Sequence, residues 1–451
     1  MTYTSYKTSN QSWTPPLPSH WEYWRAKRIF DNPKEKNDGN KESNILSLTL
    51  KGVVQNNKEN PIGLSPSDYA TYQIFEPDDL VFKLIDLENI STSRVGIVPE
   101  RGIMSSAYIR FSARKPVNIK YFYYQYHDWW LRQVFNGLGA GVRQTLSASD
   151  LLNLKIAVPP RDEQDQIVCY LDWQISRINK LIHGYQREIK LLEERKLALL
   201  DHIIHSGLDD SVKKKDSDIE YIGQIPEHWI VLQNHRLYKS MNRKSFGSET
   251  VLSLSQKDGL IPYENMSERS LHTASYDNWQ LVLPNDLVLN RFKAHLGVFF
   301  ASNYRGISTF HYGVYEPKLP LISKYYESLY HTAVYRRVYA GQSKGMTVGL
   351  QNLSDIDFYT VYTIYPPVEE QREIVSAIEK REKEFLEIRG RIEREIDLLR
   401  EYRTRLISDV VTGQMDVRGI EVPDYSPEED TEETDEDNEE TEVEPDAESD
   451  E

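Results

Sequence analysis

The chain has 451 residues, more than one ordinary hydrophobic core accommodates, so two or more domains are expected. Its formal net charge is −16, but segment 428–451 alone contains sixteen Asp and Glu and no Lys or Arg. Residues 1–427 are therefore formally neutral, and the overall charge neither favours nor excludes nucleic-acid binding. The single cysteine, Cys169, excludes an intramolecular disulfide and a cysteine-rich zinc cluster.

The two ends of the chain carry further expectations about its class. Residues 1–15 are polar and lack the apolar region of a signal peptide, and no window has the run of about eighteen apolar residues that spans a bilayer. We therefore expect a cytoplasmic protein. The acidic tail is poor in apolar residues and is predicted to be disordered. We interpret it as a solubilising extension. A weaker hypothesis is that the tail mimics DNA and competes for basic surfaces. Cys169 is expected to be a small buried residue.

Taken in chain order, each half of the sequence contains a module followed by a long helix. Short runs of Tyr, Phe, Val and Ile broken by Gly, Asn, Asp and Pro predict mixed strands and loops, with helical patches at 119–134 and 324–339. A Pro-Pro pair then forces an extended entry into an apolar heptad pattern of about forty residues. The domains predicted in this way are a first module at 1–160, a long helix at 161–207, a linker at 208–220, a second module at 221–367, a second long helix at 368–413, and a C-terminal extension at 414–451.

The two halves repeat at an offset of about 207 residues, which is typical of an internal duplication. Pro159-Pro160-x-x-Glu163-Gln164 recurs as Pro366-Pro367-x-x-Glu370-Gln371. Pro18-x-His20-Trp21 recurs as Pro226-x-His228-Trp229. Further pairs in nearly the same register begin at Ile45, Pro77 and Gln144 in the first half.

The heptads predict that the two long helices pair with each other, antiparallel, in a coiled coil. A polar break at Lys196 recurs at Arg403, and the first helix is expected to stop near Ser206-Gly207. Packing of each helix on its own module alone is the alternative. The predicted seam comprises Leu171, Ile175, Ile178, Ile182, Tyr185, Ile189, Leu192, Leu199 and Ile203 in the first helix, and Ile378, Phe385, Ile392, Ile396, Leu399, Leu406 and Val410 in the second.

These elements resemble the DNA-specificity subunit of type I restriction–modification systems over residues 15–420. The Pro-x-His-Trp openings, the Pro-Pro-x-x-Glu-Gln entries and the helix ends 200–207 and 407–413 carry the resemblance. In the second module, 289–297 with 306–308 also resembles target-recognition domains, with 93–96 and 102–105 taken as the corresponding stretches of the first. The resemblance implies an α+β fold: two pseudo-repeated mixed α/β target-recognition domains held apart by an antiparallel two-helix coiled coil, plus the acidic tail.

The resemblance also implies a function without chemistry in this chain. Each module would read one half of a bipartite, asymmetric double-stranded DNA site, while the coiled coil sets the spacer and docks two methyltransferase subunits. Motor-nuclease subunits could join that complex. No cofactor or metal is expected in this chain; S-adenosylmethionine belongs to the methyltransferase partners, and ATP and Mg to the nuclease partners.

Basic residues among loop-forming and aromatic residues are the candidates for contacts with phosphates and guanine edges. The interpretation as solvated surface charge remains open for each. Gln144 and Gln351 could read adenine but adjoin a repeated Leu-Ser pair. The candidate residues are Lys83, Arg94, Arg101 and Arg143 in the first module, and Arg291, Lys293, Arg305 and Lys344 in the second.

Motifs for chemistry are missing from the sequence. No phosphate-binding Gly-x-x-x-x-Gly-Lys-Ser/Thr loop occurs, and Asn32-Pro33-Lys34 and Asn60-Pro61-Ile62 depart from the Asn/Asp-Pro-Pro-aromatic motif of adenine methyltransferases. Two other function classes stay open at this point. One is a self-sufficient nuclease or methyltransferase with an unrecognised site, and the other is a coiled-coil adaptor that binds no DNA.

Overall fold

The computed structural model describes residues 2–9, 11–56, 69–85, 87, 93–138, 145–244, 249–256, 259–266, 279–343 and 352–427. It forms two compact units: unit 1 is Met1–Arg187 with Glu393–Glu451, and unit 2 is Glu188–Ile392. The division falls inside both long helices, whereas the sequence pattern predicted boundaries at their ends. Each unit therefore combines one module with a segment of each long helix.

Unit 1 is built from short strands, small helices and parts of two long helices. Its strands are β1 (Tyr6–Lys7), β2 (Leu17–Pro18), β3 (Glu22–Arg25), β4 (Phe30–Asp31), β5 (Leu46–Thr49), β6 (Gly52–Gln55), β7 (Gln73–Phe75), β8 (Leu80–Phe82), β9 (Val95–Ile97), β10 (Gly102–Met104), β11 (Ile109–Ala113) and β12 (Lys155–Val158). Its helices are α1 (Ile119–Leu131), α2 (Val134–Leu138), α3 (Ala148–Asn153) and the first part of α4 (Arg161–Ser206).

Unit 2 repeats this order of elements. Its strands are β13 (Lys214–Asp216), β14 (Gln224–Pro226), β15 (Ile230–Gln233), β16 (Tyr238–Met241), β17 (Leu252–Ser255), β18 (Gly259–Pro262), β19 (Gln280–Val282), β20 (Leu287–Asn290), β21 (Phe299–Ala301), β22 (Gly306–Ser308), β23 (Tyr312–Pro317) and β24 (Tyr362–Tyr365). Its helices are α5 (Asn234–Leu237), α6 (Ser323–Tyr330), α7 (Ala333–Gln342), α8 (Asp355–Thr360) and the first part of α9 (Val368–Val411).

The sheets of the two units have the same topology. A four-stranded antiparallel sheet has the order β4-β11-β8-β9 in unit 1 and β16-β23-β20-β21 in unit 2. The strand before each long helix pairs with the strand that follows the His-Trp opening, β12 with β3 and β24 with β15. The central strands are buried on both faces, as in Leu80–Phe82 and Leu287–Leu289, which explains their continuous apolar runs. The α+β fold class is thereby confirmed.

The two long helices pack together, and they run antiparallel within each unit. In unit 1, Gln166 near the start of α4 donates through Nε2 to the Ile420 carbonyl (2.7 Å) beyond the end of α9, and Arg403 donates to Asn179 Oδ1 (2.9 Å). In unit 2, Arg389 pairs with Glu193 at 2.7 Å. The predicted polar break at Arg403 is thus satisfied by a buried asparagine.

Apolar residues of the long helices divide into an inner and an outer set. Every residue of the predicted seam is buried or half-buried. A second set points to solvent and has more than half of its surface exposed, namely Leu181, Leu191 and Leu197 on α4 and Leu386, Leu398 and Tyr402 on α9. A helix pair that needed no further partner would gain nothing from these exposed apolar side chains.

Each long helix ends on a glycine in the left-handed region, Gly207 at φ 82° and Gly413 at φ 72°. Such a residue stops a helix without the steric cost that a Cβ would impose. A Cβ on Gly413 would also collide with the Pro18 ring, and one on Gly207 would lie 3.4 Å from Trp229. The expected stop at Ser206-Gly207 is confirmed, and both stops rest on the His-Trp opening of their own unit.

Three expectations are corrected by the structure. Cys169 is exposed on α4, so it is not a buried packing residue. The predicted helical patch at 324–339 is two helices, α6 and α7, because the chain turns at His331-Thr332. The predicted linker 208–220 contains β13, which pairs with β14 as β1 pairs with β2, so this stretch belongs to the second repeat. The tail 428–451 lies outside the described residues.

Candidate nucleic-acid interface

The duplicated His-Trp and Glu-Gln motifs meet at one buried carboxylate in unit 1. Glu163 Oε1 accepts hydrogen bonds from Tyr3 and from Trp21 Nε1 (2.9 Å), and its Oε2 lies 2.8 Å from His20 Nε2. Glu163 retains only 5% of its exposure, so these partners replace the water that it loses. The motif joins the start of the module to the start of α4.

Unit 2 contains the same junction in a more open form. Glu370 Oε2 accepts from Trp229 Nε1 (3.0 Å) and lies 2.8 Å from His228 Nε2. The adjacent glutamines also act alike, because Gln164 bonds the amide of Asn118 and the carbonyl of Pro159 while Gln371 bonds Ile322 and Pro366. The most recognisable residues of the sequence therefore maintain the fold.

A second buried carboxylate supports the loop before the central strand of each sheet. Asp79 Oδ2 accepts from the Glu76 amide (2.8 Å) and from Arg110 Nε (2.5 Å). Asp286 Oδ2 accepts from the Leu283 amide (2.8 Å) and from Arg243 Nη1 (2.5 Å). Burial raises the pKa of both carboxyls, and the arginine opposes this rise.

The arginine reaches this carboxylate from a different strand in each unit. Arg110 lies on β11, opposite Val81, where unit 2 has Val314 opposite Val288. Arg243 follows β16, and its carbonyl accepts from Leu281 as that of Glu35 accepts from Ile74. The same charge pair is thus made by residues that a sequence alignment would not match.

Unit 1 has a cleft of about 360 Å³ between two loops. One wall is the loop after β8, with Leu84 and Ile85, and the other is the turn between β10 and β11, with Ser106 and Ala107. Exposed Lys34 and Lys36 also line the cleft. Lysines at the rim of a concave surface are suited to binding phosphate, and small side chains at its wall leave room for a bulky ligand.

The same backbone positions in unit 2 carry larger side chains. The Leu353 amide donates to the Arg291 carbonyl (3.0 Å) as the Leu146 amide donates to the Leu84 carbonyl (3.0 Å), so Arg291 takes the place of Leu84. Phe292, which follows it, is 43% exposed. Its ring lies 6.1 Å from that of His311 on the opposite turn. Arg291 and Phe292 thus stand where unit 1 has two aliphatic residues.

Arg94 does not offer an exposed cation. Only 2% of the residue is exposed, and its guanidinium donates to the carbonyls of Lys83 (3.3 Å) and Ile85 (3.1 Å). The Lys83 amide donates to the Arg94 carbonyl as Asn290 donates to Val298, so Arg94 replaces a buried valine. The correspondence predicted between 93–96 and 289–297 was therefore wrong, because Arg94 matches Val298, whereas 102–104 of the predicted stretch 102–105 does correspond to 306–308.

The other candidate basic residues occupy different settings. Arg101 pairs with Glu76 and Glu42, Arg291 with Asp355 at 2.5 Å, and Arg305 with Glu249 at 2.9 Å. Lys293 is exposed on the short helix Arg291–Leu296. Lys83 is half-buried. Arg143, Lys344, Gln144 and Gln351 lie outside the described residues. Arg291 and Lys293 both lie in the segment that follows β20, where unit 1 has the cleft loop that follows β8.

Several residues of this surface were missed by the sequence analysis. Lys36 forms an isolated antiparallel β-bridge with Gln73 at the start of β7, and Lys244 forms the equivalent β-bridge with Gln280. Phe310 is 62% exposed at the tip of the β22–β23 turn. In both halves of the sequence a lysine lies about thirty-six residues before a glutamine. A residue-by-residue comparison of the two repeats would have revealed this recurrence.

Comparison with known proteins identifies a family to which part of the chain is similar. Residues 22–191 match the family model described as type I restriction modification DNA specificity domain. The first module and much of α4 are therefore similar to the type I specificity family. A candidate type I restriction enzyme MjaX specificity subunit of Methanocaldococcus jannaschii is 29% identical over 99 residues, which is 22% of this chain and 22% of that protein.

A solved structure from a type I restriction–modification system shares the fold. A chain from work on complex assembly and conformational transition of the type I R-M system matches with a TM-score of 0.62 at 13% identity, over 88% of this chain and 99% of that chain. The HsdS subunit from Thermoanaerobacter tengcongensis matches with a TM-score of 0.48 at 14% identity, over 88% and 98%. The first of these supports the fold assignment, since low identity at this TM-score reflects architecture.

Two kinds of feature are absent from the described residues. No helix among them is long and apolar enough to cross a membrane. Within the same residues, no group of three or more His, Cys, Asp or Glu is arranged to hold a metal ion.

Proposed function

We propose that this chain is the DNA-specificity subunit of a type I restriction–modification complex, in which each repeat reads one half of a bipartite, asymmetric site. The observation that carries the proposal is a duplicated set of buried hydrogen bonds, made to Glu163 and Asp79 in unit 1 and to Glu370 and Asp286 in unit 2. The two sets support surfaces that are lined by different side chains. Lys36 and Lys244 occupy equivalent positions in the two units, whereas the side chains of the neighbouring loops differ. Phosphate contacts position a protein on DNA and base contacts specify sequence, which matches this division.

The chain acts without chemistry of its own in this proposal, and its partners are methyltransferase subunits that carry S-adenosylmethionine. The exposed leucines of α4 and α9 support a docking role, because exposed apolar patches mark protein interfaces. The exposed apolar residues are Leu181, Leu398 and Tyr402 in unit 1, and Leu191, Leu197 and Leu386 in unit 2. ATP and Mg enter only with motor-nuclease subunits, if the complex includes them. A cytoplasmic location is part of the same proposal.

Footprinting of the chain assembled with its methyltransferase tests the function. We expect two protected DNA patches separated by a spacer, whereas one continuous patch would contradict the bipartite reading. Removing one heptad from each long helix should change the spacer length and leave both half-sites intact. Purified chain without partners should neither cleave nor methylate DNA, and activity there would favour a self-sufficient enzyme.

Replacement of Arg291 and Lys293 together by alanine tests whether the equivalent surface of unit 2 contacts DNA. We expect affinity to fall by at least tenfold at low salt, and the slope of affinity against salt concentration to become shallower. The matched control replaces Lys213 and Lys214, two exposed lysines at the β13–β14 hairpin of the same unit. Equal losses in both double variants would indicate non-specific charge attraction, and no loss in either would favour an adaptor that binds no DNA.

A further inference from the structure

A buried glutamine holds the turn between two strands in the same conformation in both units. In unit 2, Gln280 Nε2 donates to the carbonyls of Thr309 (3.2 Å) and Tyr312 (2.6 Å), the two ends of the β22–β23 turn. In unit 1, Gln73 Nε2 donates to the carbonyls of Ser105 and Tyr108 at the β10–β11 turn. Each turn also closes with its own backbone bond, Tyr312 to Thr309 at 3.2 Å and Tyr108 to Ser105 at 3.0 Å.

The two residues at the tip of this turn differ completely between the units. Unit 1 has Ser106 and Ala107, whereas unit 2 has Phe310 and His311. Phe310 exposes 62% of its surface, and its ring centroid lies 4.0 Å from that of His311. An exposed phenylalanine contributes no core packing in the free chain, so the fold does not account for its presence at the tip.

The surroundings of the tip indicate the chemistry of its ligand. Ser106 and Ala107 line the unit 1 cleft with Lys34 and Lys36, and Phe292 lies beside His311 in unit 2. Lys36 and Lys244 occupy equivalent positions, each in a β-bridge with the glutamine that binds the turn, Gln73 or Gln280. A constant cation beside a variable apolar or hydroxyl side chain fits a ligand with a constant phosphate and a variable base edge.

We propose that the two-residue tips, Ser106-Ala107 and Phe310-His311, are the specificity-determining elements of the two repeats, and that Lys36 and Lys244 contact the DNA backbone beside them. The inference rests on the proposed function and adds the residues that read the bases. Phe310 offers an apolar surface for a thymine methyl group and His311 a hydrogen-bonding ring, whereas Ser106 offers a hydroxyl and Ala107 leaves space. The different tips give different half-sites from one scaffold.

Exchange of the tips tests the inference in the complete methyltransferase complex. One variant, F310S/H311A, gives unit 2 the tip of unit 1, and the reciprocal variant, S106F/A107H, gives unit 1 the tip of unit 2. Methylated sites are mapped by sequencing the DNA of a host that expresses each complex. We expect each variant to alter base preference in one half-site only, and the two variants to alter opposite halves. Affinity for the wild-type site should fall about tenfold to a hundredfold.

Two control variants separate base reading from general DNA attraction. K244A should weaken binding to all sequences alike and leave the methylated motif unchanged. I230S removes another exposed apolar side chain of unit 2, on β15 beside β24, and should change neither motif nor affinity. Thermal unfolding of every variant verifies folding, and the single variants F310L and H311A replace the double variant if it fails to fold.

The outcomes distinguish the tip proposal from the proposed function. A wild-type complex without a bipartite methylation motif would overturn the proposed function itself. A bipartite wild-type motif that persists in both tip exchanges, with affinity within about twofold of wild type, would overturn the tip proposal alone. Equal weakening toward all sequences without a change of motif would also overturn it, since the tip would then be a non-specific contact.

Discussion

The two repeats agree where side chains are buried and differ where loops face solvent. Glu163 and Glu370 accept from the same Trp-His pairs, and Gln73 and Gln280 hold the same turn. The turn tips and the residue pairs Leu84-Ile85 and Arg291-Phe292 have nothing in common. Buried polar groups are expensive to leave unpaired, so they resist change, while exposed loop residues do not. The comparison therefore separates the scaffold from the proposed recognition surface within one chain.

The buried carboxylates Asp79 and Asp286 show that the scaffold itself can be rearranged when its energetics are preserved. The guanidinium comes from β11 in one unit and from the segment after β16 in the other, yet both reach the same carboxylate oxygen. What is maintained is the pairing of a buried charge, and the residue position that supplies the partner is free to move.

The largest expected effect concerns the junction carboxylates. Glu163→Ala leaves Tyr3 and Trp21 without an acceptor in a buried site, and we expect it to lower the free energy of unfolding by about 3–4 kcal/mol. Glu370→Ala should cost about half as much, because Glu370 is more exposed and the described residues bring no tyrosine hydroxyl to it. Urea denaturation of the full chain measures both, and equal losses would show that the junctions are energetically the same.

Because Asp79 and Asp286 are paired with arginines from different positions, a second substitution should rescue the stability that is lost when Arg110 is replaced. Arg110→Val leaves Asp79 buried without its partner and should cost about 3 kcal/mol. Glu35 occupies the position of Arg243, so adding Glu35→Arg should recover at least about 1 kcal/mol by rebuilding the unit 2 arrangement in unit 1. A double-mutant cycle from urea denaturation measures this coupling. Additive effects of the two substitutions would mean that position 35 cannot reach Asp79.

His127 lies nine residues after Asn118, whose amide donates to Gln164, and His331 lies nine residues after Ile322, whose amide donates to Gln371. The two histidines therefore occupy equivalent positions, and they predict a shared pH dependence. Burial, together with nearby Arg403 for His127 and Arg336 for His331, lowers the pKa of each to about 4. Because the unfolded histidine has a pKa of about 6.5, the unfolded state takes up protons first as pH falls, and stability decreases between about pH 6.5 and 4. Asp79 and Asp286, whose pKa values are raised, act in the opposite direction.

Replacing either histidine by glutamine should reduce this acid-induced loss by about 2 kcal/mol. The measurement is the free energy of unfolding from pH 7 to pH 4.5, compared between variant and wild type so that the carboxyl contributions cancel. If only one of the two variants changed the profile, the two histidine environments would not be equivalent in solution.

The smallest effect is expected at an exposed ion pair. Arg305 and Glu249 form a 2.9 Å contact with much of the arginine in solvent, so Arg305→Ala should change stability by less than about 1 kcal/mol. The effect should vanish at 1 M salt. A larger loss in thermal unfolding would mean that this loop contributes to the core of unit 2.

Prediction from sequence succeeded for repeated local patterns and failed for the surroundings of individual side chains. The heptads and the Ser206-Gly207 stop depend on local periodicity and backbone conformation, so they could be read directly. Arg94 could not, because an arginine among glycines and serines has the same sequence context whether it is solvated or buried against backbone carbonyls. Phe310 was likewise hidden, since an aromatic residue between strands is usually part of a core.

The sequence by itself determined that the protein is a duplication of a mixed α/β module and a long helix, because periodicity, proline and glycine act over a few residues. Only the tertiary structure decided which polar residues serve the fold and which face outward. The partners of Glu163, Gln73 and Asp79 lie far along the chain, and spacing does not encode contacts of that kind. The same structure aligned Arg291 with Leu84 and Phe310 with Ser106, because equivalence of position rests on hydrogen bonds rather than on residue type.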